Sequence, residues 1–152
     1  MSYPCEIKEQ AVQPTLTIRA TTPVQGLSEL LGRAYGAVAQ HLGEMGEQPV
    51  GPPFVAYYNM DMQNLDVEVG FASAKKLPGK GEIQASEIPG GKFASVLYTG
   101  PYDQCGPAYE ALTRFVKDTG HEATGVAYEF YLNDPQHTPP PQLQTLIMFA
   151  LK

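Results

Sequence analysis

In the stretch Gly125-Val126-Ala127-Tyr128-Glu129-Phe130-Tyr131-Leu132 a single carboxylate stands among aromatic and apolar side chains. Side chains alternate between the two faces of a strand, so Ala127, Glu129 and Tyr131 share one face while Val126, Tyr128, Phe130 and Leu132 share the other. A carboxyl group in an aromatic cleft has two chemical uses. Dehydrated, its pKa rises and it can act as a proton acceptor. Charged, it awaits a cation, to which the neighbouring rings add cation–π attraction of roughly 0.5 to 2 kcal/mol each. The same residue also fits a solvated sheet face or a structural pair with an arginine.

Other chemistries find little support. Ser28, Ser73, Ser86 and Ser95 lack the Gly-x-Ser-x-Gly setting of an activated serine, and neither Cys5 nor Cys105 stands in a histidine motif. His41, His121 and His137 are scattered without ligand spacing, so no metal site and no cofactor is expected. "LPGKG" and "IPGGK" read as turns, because neither has the spacing of a phosphate loop ahead of a helix.

The elements that must position Glu129 follow from period and punctuation. Leu16 and Ile18 alternate with Thr15, Thr17 and Arg19 within a first strand pair of segments spanning 5–20. Leu27, Leu30, Leu31, Ala34, Val38 and Leu42 recur at helical spacing, and the Gly/Pro-rich stretch 43–53 ends that helix. "PFVAYYN" and "LDVEVGFAS" read as strands. The order then recurs: strand material around Pro89-Gly90-Gly91, a helix over about 103–117, then "VAYEFYLN" and "QLQTLIMFALK" as strands.

An internal repeat is visible in this recurrence. Thr21-Thr22-Pro23 matches Thr99-Gly100-Pro101 at an offset of 78, Tyr35-Gly36-Ala37 matches Tyr109-Glu110-Ala111 at 74, and Val55-Ala56-Tyr57 matches Val126-Ala127-Tyr128 at 71. Leu65 to Ala72 matches Leu143 to Ala150 at 78 again. The expected architecture is α+β: one domain over 1–152, with repeats of about 4–75 and 82–152, each a β-α-β-β unit. Together they would form one antiparallel sheet with both helices on one face and a ligand gap between the helices. The offset of 71 sets Tyr58 opposite Glu129, which places both in that gap.

Together with the repeat, the motifs "YTGPYDQCGPAYEAL" (98–112), "GVAYEFYLNDP" (125–135), "LDVEVGF" (65–71) and the closing "QTLIMFALK" resemble the GyrI-like, or transcription-activator effector-binding, domains. The resemblance implies a ligand-site glutamate at Glu129. It also implies relatives of three kinds: effector-binding domains of multidrug-responsive regulators, gyrase-inhibitory proteins, and hydrolases of cyclopropane-bearing genotoxins. The family often carries Thr-Glu in the last strand, where this chain has Thr145-Leu146; Glu68, the repeat mate of Leu146, keeps an acid. The expected ligand site therefore comprises Glu129, Tyr58, Tyr98, Tyr109, Glu68, Tyr131, Phe71 and Phe149. Tyr109, Phe71 and Phe149 also fit core positions, and Tyr98 ends a strand beside the second helix.

Composition bounds the partners. The net charge of −6 and the lack of a Lys/Arg cluster argue against direct nucleic-acid binding. No apolar run approaches a membrane span and no signal peptide is legible, so a cytoplasmic protein with reduced thiols is expected. The expected partner is a planar, hydrophobic or cationic aromatic molecule, with any protein partner unknown. The alternative is a hydrolase in which Glu129 is the base and Tyr109 a hydrogen-bond donor, and a gyrase-inhibitor-like module comes third.

Overall fold

A computed structural model describes residues 3–134 and 137–152. In chain order the elements are β1 (Cys5–Gln10), β2 (Gln13–Thr22), α1 (Val24–Glu44), β3 (Phe54–Tyr57), β4 (Leu65–Ala72), β5 (Ile83–Ile88), β6 (Gly91–Thr99), α2 (Gly106–Asp118), β7 (Ala123–Tyr131) and β8 (Gln144–Leu151). The α+β class is the expected one. The chain forms two compact units, one over 11–90 and the other over 1–10 with 91–152.

In the 11–90 unit the strands run in the order β3-β4-β2-β5, every neighbour antiparallel. Helix α1 packs on β2 and β4 through Leu30, Ala34, Val38 and Leu42, four of the six positions whose spacing marks the helix in the sequence. A ring contact between Tyr35 and Phe71, with centroids 5.5 Å apart, identifies the face of β4 that carries Val67, Val69 and Phe71 as the one under α1. Glu68 and Gly70 point to the other face.

In the second unit the order is β1-β6-β8-β7, again antiparallel throughout. Helix α2 covers a core of Ala94, Val96, Tyr98, Ala108, Leu112, Val116 and Ile147. The helix begins later than its apolar spacing suggests, because Tyr102–Gln104 winds as a 3-10 turn ahead of it.

Repeat and compact unit do not share boundaries. The first strand of each repeat leaves the second by a two-residue link, Ala11-Val12 or Pro89-Gly90, and does not fold back on it. β5 pairs with β2, from Gln13↔Ile88 to Ile18↔Ile83, whereas β1 pairs with β6, from Cys5↔Val96 to Gln10↔Gly91. Segments 5–10 and 13–22 are thus not ladder neighbours.

Candidate functional site

Glu129 lies opposite Ile147, and Tyr131 opposite Thr145, on the face of β7 and β8 that meets α2. Strand β7 reaches this register through an irregularity between Ala123 and Ala127, where Gly125 adopts φ 98°, a left-handed value that disfavours side chains. The irregularity holds two extra residues of β7, so Glu129 keeps the face that meets α2 but lies opposite Ile147 where an unbroken ladder would set it opposite Thr145. There the Tyr109 hydroxyl donates a hydrogen bond to Glu129 Oε2, and the Tyr131 hydroxyl donates to Oε1 at 2.8 Å.

Aromatic rings surround this carboxyl group. Tyr109 packs on Phe149 with centroids 5.7 Å apart, and Tyr131 packs on Tyr102 at 5.2 Å. Tyr102 comes from the 3-10 turn and is 38% exposed, so it forms the rim. Burial raises the pKa of Glu129, against the opposing pull of the two tyrosine hydrogen bonds. Tyr102 is raised by burial and then by the charges of Asp134 and Glu129. The half-buried Cys105 thiol is pushed up to about 11 by burial and then by Glu129, so it stays protonated near neutrality and supplies no thiolate nucleophile. Among the described residues the Thr145 hydroxyl, buried across the ladder from Tyr131, has no hydrogen-bond partner.

The other expected residues divide between this cluster and elsewhere. Tyr98 is buried in the core under α2, and its hydroxyl donates to the Pro101 carbonyl at 2.7 Å. It locks the turn that leads into the 3-10 segment. Tyr98→Phe is expected to cost about 1 kcal/mol in denaturant unfolding, the usual net worth of one hydrogen bond, with the fold retained.

Phe71, Glu68 and Tyr58 belong to the 11–90 unit. Phe71 faces α1. Glu68 is 5% exposed and accepts hydrogen bonds from Tyr58 at 2.5 Å and from Thr17 at 2.6 Å. The guanidinium of Arg19 lies 3.9 Å above the centre of the Tyr58 ring. It also makes two hydrogen bonds to Asp66, at 2.7 and 2.8 Å, which hold the Asp66 carboxyl below the usual range.

Ladder positions correct one equivalence. With Leu65–Ala72 matched to 143–150, Glu129 opposite Ile147 corresponds to Val55 opposite Val69, an offset of 74. Tyr58 is therefore not the repeat mate of Glu129. It lies with Glu68 on the face of its own unit turned away from α1, whereas Glu129 faces the helix of its unit.

A family model for the GyrI-like small molecule binding domain matches residues 3–152. The chain belongs to that family. Solved structures agree on the fold of this GyrI-like domain. EcmrR in its DNA complex is 23% identical, with a TM-score of 0.85 over 99% of the chain, and the chain spans 57% of that protein. The EcmrR C-terminal domain is 21% identical with a TM-score of 0.81, covering 100% of the chain and 99% of the domain. A hydrolase from Listeria innocua is 13% identical with a TM-score of 0.73, covering 97% and 91%. A search of curated proteins gave no match.

Three residues of the GyrI-like domain's Glu129 cluster, Tyr102, Cys105 and Thr145, are missing from the expected site. Tyr102 and Cys105 lie in the quoted motif "YTGPYDQCG", but their reach toward Glu129 depends on the 3-10 turn. Thr145 carried a signal: a strand-borne hydroxyl two positions before Ile147 shares a face with it. Among the described residues no group of three His, Cys, Asp or Glu could hold a metal ion, and no helix is long and apolar enough to cross a membrane.

Proposed function

We propose that this GyrI-like domain is a receptor for hydrophobic aromatic cations, with Glu129 as the counter-charge. One observation carries the reading: a carboxyl group tied by two tyrosine hydroxyls and walled by Tyr102, Tyr131, Tyr109 and Phe149, with no cationic side chain among its hydrogen-bond partners in the described residues. A charge held in an aromatic setting gains most from a cation that brings its own apolar surface. The Thr145 hydroxyl offers a polar contact for orientation. The receptor acts by sequestering the compound or by presenting its liganded surface to a protein partner.

The chain has no tryptophan, so its nine tyrosines report on binding. Titration with tetraphenylphosphonium, the compound bound by the similarly folded SAV2435 (TM-score 0.67, 10% identity), should change tyrosine emission in a saturable way. The binding should weaken as pH falls through the raised pKa of Glu129, because protonation removes the counter-charge. Binding that is absent, or that ignores pH across this window, would refute the receptor reading.

A second reading uses the same pair. The raised pKa of Glu129 and the hydroxyl of Tyr109 suit a base and a donor acting on a strained electrophile, where one general base contributes roughly 10² to 10⁴-fold. Product formation from a cyclopropane-bearing electrophile, followed by mass spectrometry and lost in Glu129→Gln, would favour this reading.

A further inference from the structure

The 11–90 unit holds a second set of groups with the chemistry of cation recognition, and it is already occupied. Glu68 is buried, and among the described residues the hydrogen bonds it accepts come from the hydroxyls of Tyr58 and Thr17. A buried acid that receives only neutral donors is an incomplete electrostatic arrangement. The nearest complement is Arg19, stacked on the outer face of the same tyrosine and fixed in plane by Asp66. An ordinary surface ion pair needs only Arg19 and Asp66. The buried carboxyl, the phenol hydrogen-bonded to it and the ring face beneath the guanidinium are additional, and they are the parts that recognise a flat cation. Arg19 enters from solvent: its side chain is 45% exposed, so it can leave without opening the core.

We infer that Tyr58, Glu68 and Asp66 form a seat for planar guanidinium or amidinium cations, and that Arg19 is its resident occupant, displaced when such a ligand binds. The seat uses residues of one unit only and does not rest on the Glu129 reading. Its tethered occupant has an effective concentration in the millimolar range or above, so only cations that outcompete it are admitted.

Benzamidinium is the probe, titrated calorimetrically. Arg19→Ala should bind it at least about tenfold more tightly than the wild type does, a difference of roughly 1.4 kcal/mol. The gain should persist in Arg19→Ala/Glu129→Gln and vanish in Arg19→Ala/Tyr58→Leu. Arg19→Lys, which keeps the charge but loses the planar fork, should show a smaller gain and guards against misfolding of the alanine variant. In the wild type, saturating benzamidinium should move the Arg19 Nε–H resonance to the position of a solvated arginine. Equal affinities in wild type and Arg19→Ala, a gain lost with Glu129→Gln, or an unmoved Arg19 resonance would each overturn the seat.

Discussion

Glu129→Gln should weaken binding of tetraphenylphosphonium roughly 30-fold or more and leave a neutral analogue of the same shape within a few-fold. Gln keeps the side-chain shape and can still hydrogen-bond Tyr109 and Tyr131, but it carries no charge and takes no proton. The lost attraction is that of a partly buried charge pair, for which truncation costs about 2 kcal/mol or more. The pH dependence should vanish together with the affinity. Stability runs the other way. The folded-state pKa of Glu129 is raised, so its contribution to stability is complete below the ordinary carboxyl value and is lost as pH rises through the raised one. The wild type should therefore become less stable with rising pH in the window where its cation binding strengthens, and Glu129→Gln should be flat in both. Parallel fluorescence and thermal-unfolding series check this. A Gln variant that is folded and binds the cation unchanged would remove Glu129 from the site.

Gly70→Val should cost about 4 kcal/mol or more, enough to unfold the 11–90 unit or to leave it marginal. Gly70 lies in β4 between Thr17 of β2 and Phe54 of β3, and a Cβ there would stand 2.0 Å from the Leu16 carbonyl oxygen and 2.9 Å from Thr17 Cα. These are backbone atoms of the paired strand, and no rotamer change relieves the overlap. Overpacking of this kind belongs to the few mechanisms that give large single-site losses. Denaturant unfolding followed by circular dichroism reads the effect. A variant within about 1 kcal/mol of wild type would show that β2 and β4 can separate freely at this point.

The helices and the alternation of the strands were legible because each depends on local spacing. Leu30, Ala34, Val38 and Leu42 are buried at the positions their period marks, and Glu129 shares its face with Tyr131 as alternation requires. Strand partners were not legible. Val55-Ala56-Tyr57 and Val126-Ala127-Tyr128 match letter for letter, yet they occupy different ladder positions, because the nine-residue β7 starts well before the four-residue β3 does in its own repeat. The resulting error of three residues is odd, and an odd slip transfers a side chain to the opposite face. That is why Tyr58 joins Glu68 and Arg19 instead of the surroundings expected for the mate of Glu129. The same alternation read Thr17 and Arg19 simply as the polar side of β2, since nothing local shows that a buried acid lies across the ladder.

The pairing of β1 with β6 bears on how the protein is made. All strands of the 11–90 unit have been synthesised once Gly90 is added, but Cys5 must wait for Val96 before its ladder can form. At ordinary elongation rates the first strand spends on the order of 5 to 20 seconds without its partner. Closing a loop of that length costs only slightly more than closing a short one, so the delay is set by synthesis and not by entropy. The half that carries Glu129 is the last to be completed, and a nascent chain acquires that carboxyl group's tyrosine partners and edge strand only after its other half can already have folded.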